Sequence, residues 1–214
     1  MFDPANPYAN RDPRLRYTLF VPGDPLPDGR TFNPLPNSGT PDAIGSTFFA
    51  TSTGFTIKKY INNEDFANIV NSGINIILVR YAEVLLTYAE AKIELGQTDQ
   101  SVYEAINAIR QRSDINLPPL SGFSQTELRD AVRRERTLEL LFDGLRLFDI
   151  RRWRIAETVI PGAIQGITYM MNGQLTTEQV QAFEKVSNRS RDYLWPVPQK
   201  EKELNPELSQ NPGW

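Results

Sequence analysis

The residues with the clearest capacity for chemistry are two glutamates one helical turn apart. Counting from Leu128 at helical spacing gives Leu128, Val132, Glu135, Glu139 and Phe142, so both carboxylates fall on an otherwise apolar stripe. Their Cβ atoms would lie about 5–6 Å apart, close to the roughly 5–5.5 Å carboxyl spacing of a retaining glycosidase. Glycosidase carboxylates approach the sugar from opposite faces, whereas two residues on one helix project the same way. The geometry therefore argues against an acid/base pair and for a structural ion-pair cluster. Eight arginines (Arg129, Arg133, Arg134, Arg136, Arg146, Arg151, Arg152 and Arg154) share this stretch, with no lysine among them. Arginine suits partly buried bidentate pairing better than lysine does. These arginines are expected to surround the two glutamates, with Glu135, Glu139, Arg136, Arg146, Asp149 and Arg151 as the cluster.

Composition removes other chemistries. The 214 residues include no histidine and no cysteine. A Ser-His-Asp site, a thiol nucleophile and a Cys-ligated metal are excluded. No phosphate loop or metal-ligand cluster is present, so no cofactor and no metal are expected. A net charge of −3 and a pI near 5.2 argue against a nucleic-acid partner. No apolar run reaches the ~18 residues of a membrane span. Met1-Phe2-Asp3-Pro4 does not read as a signal peptide.

The elements that must position these residues follow from periodicity and proline. Nine of the 16 prolines precede residue 42, which excludes a helix of useful length there. Tyr8, Leu15, Tyr17, Leu19, Phe20 and Val21 nevertheless call for burial. Residues 1–75 are expected to form an ordered, loop-rich arm packed on the rest, with short strands near 16–21 and 55–61 and a turn at Asn62–Asp65. Residues 76–214 are expected to form a helical domain with an extended tail at 193–214, the whole being one structural unit. A first helix runs from about Asn75, with Ile77, Tyr81, Val84, Leu85, Tyr88, Ala91 and Leu95 as its apolar stripe and Gly96 after its end. A second carries Val102, Ala105, Ile106 and Ile109. Ser124 and Glu127 form a capping box that opens a third. A fourth is expected over Arg146–Val159, and a short one after Thr176-x-x-Gln179, with Val180 and Phe183. The fold class is mainly α: helical hairpins of TPR-like, α-α superhelical kind, with long Pro-rich irregular segments and little β.

Four blocks resemble the SusD/RagB family, specifically its C-terminal portion. They are Asn6 to Arg14 (similar to an N-x-R-D-P-R element), Arg80 to Ala91, Arg134 to Trp153, and Leu194-Trp195-Pro196-Val197-Pro198 with Asn205-Pro206 and Gln210-Asn211-Pro212-Gly213-Trp214. The resemblance implies TPR-like hairpins and no catalysis. It implies an outer-membrane, surface-exposed lipoprotein that binds glycans and works with a SusC-like TonB-dependent transporter. It also implies that this chain is a soluble C-terminal part of a chain about twice its length, whose lipidated cysteine, the one link to the membrane, lies outside it. The alternative is a TPR-like protein-interaction scaffold without sugar binding.

Sugar recognition needs aromatic faces with polar groups for hydroxyls, and such residues concentrate on loops. Phe32, Phe48, Phe49, Phe55 and Tyr60 are the aromatic candidates, with Arg30, Asn33, Asn37 and Asp42 as polar partners. Trp153 is expected in the core, and Trp195 is expected to pin the tail.

Overall fold

The computed structural model describes residues 3–46, 50–68 and 70–214, with backbone alone at 66–68 and 179–184. Its centre is three helices, α2 (Tyr81–Glu94), α3 (Gln100–Arg110) and α4 (Gln125–Glu139), with α2 packed on both others. Leu86, Ala89, Ile93, Val102, Ile106, Leu128 and Val132 interlock as a core closed to solvent. The ends follow local rules. Gly96, at φ 74°, ends α2, with Gln97 N–H donating to Lys92 O and Gly96 N–H to Ile93 O, a Schellman motif. Asp99 accepts from Ser101 N–H at the start of α3. Ser124 and Glu127 form the expected reciprocal box at the start of α4.

The buried face of α2 is not the expected one. Ala82, Leu86, Ala89, Glu90 and Ile93 face the core. Tyr81, 75% exposed, lies on the outer face with Val84, Tyr88 and Leu95. The helix also begins at Tyr81, and Ile74–Val79 run as exposed, irregular backbone ahead of it. Small alanines on the inner face let α3 and α4 approach closely, so the bulkier stripe is the outer one. A helix apolar on both faces misleads a one-stripe reading.

Two further expectations are corrected. The fourth helix is broken into α5 (Arg146–Arg152) and α6 (Ala156–Val159). Arg154 takes a left-handed φ of 55° between them, and the Tyr193 hydroxyl accepts from Ala156 N–H. The helix expected after Thr176 is instead strand β4 (Gln174–Lys185), paired antiparallel with β3 (Gly162–Met171). Asn172-Gly173 joins them, both at positive φ, with Met171 opposite Gln174; this is the preferred two-residue hairpin turn. Gly166 lets the hairpin meet the arm: a Cβ there would stand 2.6 Å from Thr53 O. The adjacent Ile167 N–H donates to that oxygen.

The arm carries helix α1 (Arg14–Thr18), then strands β1 (Leu19–Phe20) and β2 (Thr56–Ile57), which pair antiparallel. A 3-10 turn spans Asn63–Asn68. The tail holds one short helix, α7 (Gln199–Leu204), among irregular backbone. Gln210 clasps the backbone of Val197 from both sides, at 2.7 and 3.0 Å.

Candidate functional site

Glu135 and Glu139 sit where α4 meets the arm, and Glu135 is 2% exposed. Their partners come from outside the stretch 129–154. Arg14 of α1 donates to Glu135 at 2.6 Å and to Glu139 at 3.2 Å. Arg110 donates to Glu135 at 2.9 Å. Arg80 and Arg112 donate to Glu139 at 2.9 and 3.1 Å. Burial alone would push the Glu139 carboxyl up. The hydrogen bonds from Arg80 and Arg14 and the charges of Arg112 and Arg80 outweigh it and hold the group below the ordinary carboxylate range. A general acid needs the opposite shift. The end of α4 is closed the same way: Arg80 Nη2 donates to Glu139 O at 2.7 Å, and Lys59 Nζ to Leu141 O at 2.8 Å. Cations there also suit the helix dipole.

The arginines of α4 and α5 serve a second network. Arg136 and Arg152 both hold Asp149, at 2.8 Å each. Arg152 also grips Glu90, which accepts the Trp153 indole N–H at 2.6 Å. Arg133, Arg146 and Arg152 lie around the Trp153 ring. Burial would raise the Glu90 carboxyl, but Arg152 and Trp153 hold it low. Arg146 donates to Thr137. Arg151 belongs to neither network; it stacks on Trp195 at 3.8 Å. The expected single cluster is therefore two, and the glutamates' arginines were missed because their positions 14, 80, 110 and 112 are distant in sequence. The signal lay in the Asn6–Arg14 and Arg80–Ala91 blocks, each of which carries one of them.

The candidate sugar ligands scatter. Phe32 is buried against Phe20. Arg30 is held by Asp28 and Asp42. Asn33 accepts from Leu35 N–H inside its own turn, and Asn37 takes a left-handed φ. Phe55 packs edge-on against Tyr8. Phe48 and Phe49 lie outside the described residues. Tyr60 is half-exposed and donates to Asp143, and burial together with that bond pushes its hydroxyl up to about 12. Of these side chains, Phe55 lines a small cavity of about 180 Å³ with Tyr8 and Thr168. Lys59, Tyr17, Arg80 and Arg112 line another, of about 120 Å³, below the roughly 300–1,000 Å³ of a small-molecule pocket.

A cavity in that range opens beyond Glu135. It measures about 590 Å³ and lies between α4, the loop after α3 and Asp12 of the arm, with Phe123, Asp130 and Arg134 on its walls. Sequence reading singled out neither Phe123 nor Asp130. Their signal was position: Phe123 immediately precedes the Ser124 cap, and Asp130 shares the outer stripe of α4 with Glu127 and Arg134.

Comparison with known proteins places this architecture. The chain is 33% identical over 167 residues to SusD-like protein P2 of Formosa agariphila, spanning 74% of this chain and 30% of that protein. It is 40% identical over 101 residues to SusD-like protein P38 of the same organism, 44% of this chain and 20% of the relative. The chain thus spans under a third of the length of these relatives. A crystal structure of a SusD-like protein from Bacteroides fragilis superposes with TM-score 0.76 at 28% identity, over 97% of this chain and 40% of that one. A SusD-like carbohydrate binding protein from Bacteroides vulgatus matches 72% of this chain and 33% of its own, at 26% identity and TM-score 0.50. The sequence profile of the SusD family matches residues 2–214, and the chain belongs to that family.

Proposed function

We propose that this chain is a glycan-binding, non-catalytic part of an outer-membrane nutrient-uptake complex that works with a SusC-like TonB-dependent transporter. The observation that carries the reading is the family match across residues 2–214, joined to the likeness to the Bacteroides vulgatus carbohydrate binding protein. The state of the two glutamates supports the non-catalytic half. Each is tied to two or more arginines and kept from solvent, which leaves neither placed to exchange a proton with a substrate. Affinity electrophoresis of the purified chain through gels cast with a polysaccharide panel tests it. Retardation by at least one glycan is expected, and migration unchanged by every glycan would overturn it. The bare outer face of α2 favours a second reading, a protein-interaction scaffold. Capture of a TonB-dependent transporter by a chain that binds no glycan would select that reading.

A further inference from the structure

We infer that the cavity between α4 and the loop 117–123 is the sugar site of this chain, and that it takes a neutral oligosaccharide. The inference rests on the glycan-binding reading above and gives it a place and a substrate class. At about 590 Å³ the cavity suits a ligand of about two or three sugar rings by the usual size of such pockets.

Its walls have the two parts a sugar needs. Leu117, Leu120, Phe123 and Leu138 supply apolar surface for the C–H face of a pyranose. Asp130 and Arg134 supply the polar part. They stand one turn apart on α4; Asp130 has Arg129 beside it as an electrostatic neighbour, and among the described residues neither Asp130 nor Arg134 forms a hydrogen bond or an ion pair within 4 Å. The other charged groups of the cavity are already engaged: Glu135 with Arg110, Asp12 with Arg14, and Glu127 in the helix cap. A carboxylate accepts from two adjacent hydroxyls and a guanidinium donates to two acceptors. A sugar edge offers both.

The wall opposite α4 is rigid before any ligand arrives. Asn107 accepts from Leu120 N–H at 2.7 Å and donates to Leu120 O at 3.0 Å. The Tyr103 hydroxyl makes the same two-way clasp with the backbone of Phe123, at 2.9 Å each way. Arg110 Nε donates to Pro118 O at 3.0 Å. A loop ordered in advance loses little entropy on binding. Charge selects among glycans: with Arg14, which pairs with Asp12 and Glu135, counted beside Arg110 and Arg134, the four carboxylates Asp12, Glu127, Asp130 and Glu135 still exceed the guanidinium groups by one. Sulfated and uronic chains meet a net acidic wall and are disfavoured.

Calorimetric titration tests the assignment, with maltohexaose, xylohexaose, laminarihexaose and mannohexaose as neutral probes and oligoalginate and oligocarrageenan as anionic ones. Phe123→Ala and Asp130→Asn are compared with Tyr81→Ala, an exposed aromatic on α2, and all are checked by melting curves. The expected result is binding of a neutral probe, weakened about tenfold by Phe123→Ala and clearly by Asp130→Asn, with melting curves and the Tyr81 variant unchanged. Asp130→Asn keeps the side chain's size, so a packing role would not register. If the wild-type chain binds a neutral glycan and both cavity variants bind it within twofold as well, the site is wrong and the glycan-binding reading stands. If it prefers the anionic probes, the charge argument fails. If it binds none of the probes, this inference and the reading beneath it both fall.

Discussion

Replacing Arg14 by methionine removes the guanidinium that joins the arm to both buried glutamates. The side chain is almost closed to solvent and engages Glu135 at 2.6 Å, Glu139 at 3.2 Å and Asp12 at 2.7 Å. Breaking a buried ion pair costs about 3–5 kcal/mol when it strands a charge. Here Glu135 keeps Arg110, and Glu139 keeps Arg80 and Arg112, so the cost falls at the low end, about 3 kcal/mol. For a chain of this length, that is a fall in melting temperature of about 6–12 °C. Urea unfolding at pH 7, followed by tryptophan fluorescence and repeated by circular dichroism, measures it directly. A double-mutant cycle with Glu135→Gln should give a coupling energy of at least about 1 kcal/mol, because the two groups touch. A loss below about 1 kcal/mol with coupling near zero would refute the reasoning, since the arm would then be held by apolar contacts and not by this network.

Acid should destabilise the chain in a defined window. Glu90, Glu139 and Asp143 are all held below their ordinary range in the folded state, so their contribution is present above the unfolded carboxylate pKa and lost as pH falls through the folded values. Stability should be flat from about pH 7 to pH 5 and decline below about pH 4, as read from urea midpoints across pH. Gly166→Ala should cost about 1–3 kcal/mol, because the new Cβ meets Thr53 O at 2.6 Å and Glu178 Cβ at 2.8 Å; the urea midpoint reads it. Val84→Asp on the exposed face of α2 should leave stability within about 0.5 kcal/mol and lower the binding of an apolar fluorescent dye to the purified chain.

The helical centre was legible because its signals are local. The Ser124–Glu127 box, Gly96 and the Val102–Ile109 stripe each act within one helix, and each corresponds to an observed boundary or buried face. The start of α2 is hidden in the sequence because Ile74–Val79 is apolar yet lies outside the helix. Its buried face is hidden too, because the alanines that pack inward carry less hydrophobic weight than the tyrosines and valine that point out. The β3–β4 hairpin did have a signal: Asn172-Gly173 between two runs rich in Ile, Thr, Tyr and Val. The capping pattern Thr176-x-x-Gln179 overlaps it and points to a helix instead. The ion networks were legible in kind and not in pairing, since a sequence shows that arginines and glutamates are present without showing which distant arginine meets which carboxylate. For the cavity by Phe123 the sequence carries only the positions of its wall residues and not their meeting, because the cavity exists only where α4, the loop after α3 and the arm converge.

The central claim is that this member of the SusD family holds glycan without cleaving it. The most direct test is one sample measured twice: the purified chain incubated with its tightest-binding oligosaccharide, assayed for bound ligand by calorimetry and for new reducing ends over a day. Saturable binding with no release of reducing ends is the expected result. Turnover of the oligosaccharide, or no binding to any glycan offered, would contradict it.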